Sequence, residues 1–254
     1  MSKITDILKD LTSYAVPLKF TTVRVTSDST KTLFEAIDDE KRIIMKATPK
    51  EPVTEFSGQF GMPSIKVLKG NVDMFETFSK QIPAGSKPAT LDVQCNSKDK
   101  KDIPTDLEFN VPNFFHDTYR LQLVNIPAQP ILKNPPVWEV EVNQPDKNKI
   151  SVIAAKAANL ADVEKNFSVK VDNRALKFYI GDETSSTSKS NVTLVGDIDT
   201  VFNPQLYWRC ENFLSIMNLA SSGSVVVKFS NMFIQINIDS GLIDYEFLLP
   251  GAKD

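Results

Sequence analysis

The sequence predicts an α+β protein built from two similar lobes, each an antiparallel β-sheet with two helices on one face. Three observations predict it. Strand-like segments outnumber helical ones. The order helix, three or four strands, short helix, more strands occurs twice along 254 residues, at a spacing of roughly 125 residues, which marks a duplicated unit. Between the two runs, residues 125–137 (NIPAQPILKNPPV) hold four prolines and read as an extended connector, because proline fixes φ and cannot donate to a ladder. The expected organisation is a first lobe over 1–124, the connector over 125–137 and a second lobe over 138–254.

The elements follow in order. Ile4, Ile7, Leu8, Leu11 and Ala15 recur at i, i+3, i+4, i+7 and i+11, one face of a helix over 3–15 that Pro17 stops. Strands are expected at 20–26, 32–37 and 42–47, separated by the turn residues Ser27-Asp28-Ser29 and Asp38-Asp39. Residues 61–70 (GMPSIKVLKG) predict a short helix with Pro63 in its first turn and Gly70 past its end. Strands at 73–78, 89–95, 107–111 and 118–124 complete the first lobe. In the second, a strand at 138–143 precedes a helix at 147–163, with Ile150, Ile153, Ala154, Ala157, Leu160 and Ala161 on one face. Strands at 167–172 and 175–181 flank Asn173-Arg174, a hairpin-type turn. A strand at 191–195, a helix at 211–220 and strands at 224–230, 232–239 and 242–248 close the chain.

Composition narrows the function. Hydrophobic residues at 41% and charged residues at 24% suit an ordinary folded protein with a core in each half. A net charge of −3 argues against gripping nucleic acid by bulk charge, so any such role needs local placement of lysines. Cys95 and Cys210 are far apart and form neither a CxxC pair nor a zinc spacing, consistent with reduced thiols in a cytoplasm. No basic and apolar leader opens the chain, and no apolar run approaches the roughly 18–20 residues that span a bilayer. The expected location is cytoplasmic (the host cytoplasm for a viral protein), with no membrane partner.

Catalytic patterns are missing. His116, the single histidine, stands beside Phe114 and Phe115 at the start of a strand, with no positioned partner for base work. No GxSxG, GxxxxGK[ST] or GxGxxG pattern occurs. The acidic runs Asp38-Asp39-Glu40 and Asp197-Ile198-Asp199 fall at turns, where solvated caps are the ordinary role. A non-enzyme without cofactor or metal is expected.

Several segments resemble one family, the ring-shaped DNA sliding clamps of the T4-type phage and proliferating-cell-nuclear-antigen kinds. Ile7–Leu11 is similar to their first hole-lining helix and Gly61–Asn71 (GMPSIKVLKGN) to their second. Asn125–Pro130 (NIPAQP) resembles their interdomain loop, residues 138–170 keep the clamp order of elements, and Phe247-Leu248-Leu249-Pro250 with its short tail resembles their closing strand. The resemblance implies the DNA-clamp fold, with subunits closing into a pseudo-sixfold ring. It also implies a homotrimer that encircles double-stranded DNA without reading sequence, serves as the processivity factor of a DNA polymerase, and is loaded by an ATP-dependent clamp loader. Divergence in the first lobe points to a bacteriophage or other viral clamp.

Two sets of residues follow from that resemblance. Facing the hole would be Lys3, Lys9, Lys66, Lys69, Lys147, Lys149 and Lys156, attracting phosphates loosely so that the ring slides. A partner-peptide pocket beside the connector would use Leu123, Val124 and Ile126 on one side and Phe247, Leu249 and Pro250 on the other, with Ile37 and Ile43 as floor. The fourth helix has no lysine and begins with Glu211, a departure from a basic lining. A non-catalytic β-rich viral structural or assembly protein is the alternative on composition.

Overall fold

The computed structural model describes residues 3–96, 103–122, 136–181, 190–220 and 223–253. The chain divides into two compact units, Met1–Ile131 with Gly241–Asp244, and Leu132–Ser240 with Tyr245–Asp254.

Unit 1 opens with α1 (Lys3–Ala15), whose apolar stripe is buried at Ile4, Ile7, Leu8, Leu11 and Ala15 as its spacing predicts. Four strands follow, β1 (Thr22–Ser27), β2 (Thr32–Ile37), β3 (Ile44–Pro49) and β4 (Gly58–Pro63). They form an antiparallel sheet in the order β4-β1-β2-β3. Next come α2 (Ile65–Ser79) and an antiparallel sheet β5-β6-β7, from Thr90–Asn96, Ile103–Val111 and Phe115–Arg120. Helix α2 packs beside α1 and over β6 and β7. Phe56 bridges Phe34 and Phe60 edge to face, and Phe75 of α2 meets Phe109 of β6 at 5.9 Å.

Unit 2 repeats this topology with one strand added. After β8 (Val140–Asn143) come α3 (Lys147–Leu160) and the strands β9 (Asn166–Asp172), β10 (Ala175–Ile180), β11 (Ser190–Val195) and β12 (Trp208–Arg209). Their sheet order is β11-β10-β9-β12, the same as β3-β2-β1-β4 in unit 1. Helix α4 (Cys210–Leu219) leads into β13 (Ser224–Phe229), β14 (Phe233–Asp239) and β15 (Ile243–Pro250). These stand in the order of β5, β6 and β7, with β8 added outside β13. The core centres on Phe213 of α4, which meets Phe167 at 5.5 Å and Phe178 at 5.1 Å, while those two rings stack at 4.8 Å. Asn173 and Arg174 take φ of 51° and 60°, the doubly left-handed pair of a two-residue hairpin, as the sequence predicts.

Several elements differ from expectation. Residues 61–63 end strand β4 instead of starting a helix, and Gly70 lies within α2 instead of capping it. The expected strand at 73–78 is the second half of α2, since Ile65, Leu68, Val72 and Phe75 form one buried helical stripe across the glycine. The two-residue β12 was not anticipated, because nothing in Trp208-Arg209 alternates over a usable length. Residues 123–135, which take in the end of the strand expected at 118–124 and most of the connector expected at 125–137, lie outside the described residues.

Candidate functional site

The four helices carry seven lysines against five carboxylates, unevenly shared. On α1, Lys9 lies between Asp6 and Asp10 and its ammonium donates to Glu76 of α2 at 2.7 Å. Lys80 adds a second cation to that carboxylate at 3.5 Å. The hydrogen bond from Lys9 holds the Glu76 carboxyl below the usual glutamate range, against the opposing effect of burial. On α2, Lys69 donates to Asp73 one turn later at 2.7 Å, an i, i+4 pair. Two of the lysines on α1 and α2 are thus neutralised locally. Lys66 is exposed, on the outward side of α2 with Gly70, Asp73 and Thr77. The side chain of Lys3 lies outside the described residues.

Helix α3 differs, having Lys147, Lys149 and Lys156 and no carboxylate. Asp146 caps it by accepting from the Asn148 N–H at 2.8 Å. Two lysines in the first turn oppose the positive end of the helix dipole, a placement that costs stability unless an anion is near. Lys149 is half-buried and donates to the Leu194 carbonyl at 2.9 Å. Lys156, seven residues on, flanks the same buried stripe and is also half-buried. Lys147 is exposed. The outward centre of α3 is neutral and small, with Ser151, Val152, Ala155 and Ala158. Helix α4 contributes only Glu211 as a charge.

The expected pocket residues fall into three groups. Leu123, Val124 and Ile126 lie outside the described residues. In unit 1, Ile37 is half-buried at the end of β2, and Ile43 is buried where the hairpin re-enters β3. The Asp38 carboxylate fixes that turn by accepting from the Arg42 and Ile43 N–H groups, both at 2.6 Å, so this acidic run serves as a cap. In unit 2, Phe247 is fully buried and stacks on Tyr245 at 5.8 Å. Leu249 is buried too, its carbonyl accepting from the Trp208 indole at 3.1 Å, while Pro250 stays half-exposed.

No cluster of three or more histidine, cysteine, aspartate or glutamate side chains suited to a metal occurs among the described residues. No helix among them is long and apolar enough to cross a membrane. His116 is exposed on β7. Burial, with help from Glu164, pushes the Cys210 thiol up to about 12, the opposite of what a nucleophile needs.

Sequence reasoning missed Glu76, which sets the charge of α1 and α2. Its signal was present in the i, i+4 pairs Lys69–Asp73 and Glu76–Lys80, legible only once α2 runs through Gly70.

No protein-family model and no curated protein sequence matches the chain. Among solved structures it is similar to a chain of the complex of the C-terminal region of FEN-1 bound to A. fulgidus PCNA, with a TM-score of 0.62 and 11% identity, over 98% of this chain and 96% of that one. At that identity the likeness is one of fold: the chain has a PCNA-like, sliding-clamp fold of the mixed α+β class.

Proposed function

We propose that this protein is a DNA sliding clamp. Copies of the chain close into a homotrimeric ring around duplex DNA, hold a replicative polymerase on its template, and are placed there by an ATP-driven loader. The observation that carries this reading is the repeat of one topology in two units, each bringing a pair of packed helices. A ring of six such units needs that redundancy. The likeness to PCNA across nearly the whole chain supports the same reading.

The charge pattern suits sliding. Lys66 and Lys147 are the exposed cations on α2 and α3, and the α1–α2 lysines are largely offset by Glu76 and Asp73. A weakly positive lining attracts phosphates without fixing the protein in register. Lys149 and Lys156, at the flank of α3, would add to the field. Ring closure would use free sheet edges, and β7 in unit 1 and β11 in unit 2 both stand at edges. Partner peptides would dock beside the connector, giving affinity through buried apolar area. A phage or other viral origin and a cytoplasmic site of action belong to the same proposal.

The test is native mass measurement together with primer extension by a clamp-dependent polymerase. A particle of three 28.4 kDa chains that stimulates extension is expected. A strict monomer without effect on extension would remove the clamp reading and favour a β-rich assembly protein.

A further inference from the structure

Comparing the two units strand by strand exposes one difference. In unit 2 the outer edge of β13 is covered by β8, which pairs through Val226↔Asn143, Val227↔Val142, Lys228↔Glu141 and Phe229↔Val140. In unit 1 the equivalent strand, β5, stands at the edge of its sheet with no described strand beside it. The inward side chains record the difference. Val225, Val227 and Phe229 of β13 are at most 4% exposed, whereas Leu91 and Val93 of β5 are only half-buried.

Two further observations point to what fills the edge. A groove of about 470 Å3 runs along the first half of β5, lined by Phe75 and Ser79 of α2, by Ile82 and Pro88, and by Leu91 and Asp92. Its apolar wall lies where inward-facing side chains of an added strand would enter. On the outward face, Asp92 of β5 stands directly across from Glu108 of β6. Like charges opposite each other on one sheet face destabilise it. Glu108 accepts a hydrogen bond from the Gln94 amide at 2.9 Å, and no described cation pairs with either carboxylate. In unit 2 the cross-strand pair at the covered edge is complementary, Lys228 with Glu141 at 3.1 Å.

We propose that the outer edge of β5 is a strand-addition site for an extended segment of a partner protein. The segment runs antiparallel to β5, as β8 does to β13. It places apolar side chains over Leu91, Val93 and the groove, and a lysine or arginine across from Asp92. Main-chain hydrogen bonds give the affinity, and the Asp92–Glu108 pair gives the preference for a basic residue. The proposal does not depend on ring formation.

The probe is a synthetic peptide with the sequence of residues 138–144, WEVEVNQ, carrying lysine in place of the asparagine that pairs with Val226. Amide hydrogen exchange of the full chain is followed as the peptide is added. Slowed exchange confined to β5, weakened about fivefold when the peptide lysine is glutamate, is expected. The D92K variant should invert that preference, and because Asp92 is exposed and faces Glu108 its thermal unfolding should be no lower than that of the wild type. Unchanged exchange in β5 at millimolar peptide, or no effect of charge in either the peptide or Asp92, overturns the proposal. Protection of β5 that grows with protein concentration alone also overturns it, since the edge would then belong to a second copy.

Discussion

At the scale of single residues, Glu76 decides how much charge α1 and α2 offer. Its carboxylate holds Lys9 and Lys80, so E76Q releases two cations at the cost of one carboxylate. On the clamp reading, E76Q should tighten duplex binding at low salt and steepen its salt dependence by about one phosphate contact per subunit, read from log K against log salt. The K66A/K147A pair should do the reverse. Acid stability provides a second readout. The folded Glu76 carboxyl titrates below its usual range, so its pairing stabilises above about pH 4.3 and is lost as pH falls through the lower, folded value. The wild type should lose slightly more stability than E76Q across that window, by less than about 1 kcal/mol, because Lys9 is half-exposed and solvent screens the pair. The two cysteines divide cleanly. Cys95 is exposed and Cys210 is buried with a raised thiol. One equivalent of alkylating agent at pH 8 should therefore label Cys95 in the native protein, with Cys210 reacting only after denaturation.

At the scale of elements, α2 shows how local signals compete. Gly70 and Pro63 read as punctuation, yet Val72 and Phe75 continue the stripe of Ile65 and Leu68, and burial of that stripe outweighs roughly 1 kcal/mol of glycine penalty. Gly70 is exposed, and a Cβ there would meet nothing within 4 Å. G70A should raise stability by about 0.5–1 kcal/mol in a denaturant titration. Gly223 is the opposite case, because a Cβ there would collide with the Asp239 carbonyl oxygen on the paired strand. G223A should destabilise unit 2, and equal stability would show that the start of β13 shifts without cost. The strands with clear alternation were legible nearly to the residue, as in β2, β10 and β14. β4 and β12 were not expected as strands at all, since their pairing is set by β1 and β9 and not by their own pattern.

At the scale of the whole molecule, the repeat is the functional argument. Replacing Phe213, which touches Phe167 and Phe178, with alanine should cost about 3–5 kcal/mol in unit 2. If the clamp reading holds, that loss also lowers the trimer yield in native mass spectra.

The sequence by itself determined the α+β class, the doubled order of elements, the helix faces of α1 and α3, the Asn173-Arg174 hairpin and the absence of recognised catalytic motifs. These rest on periodicity and turn chemistry, which act over a few neighbouring residues. Only the tertiary structure decided that Lys9 is offset by Glu76 across 67 positions, that Phe247 and Leu249 are buried, and that β5, unlike β13, has no second neighbour among the described strands. Each of those depends on which distant segments meet, and burial, charge pairing and strand pairing are properties of the meeting and not of either segment alone.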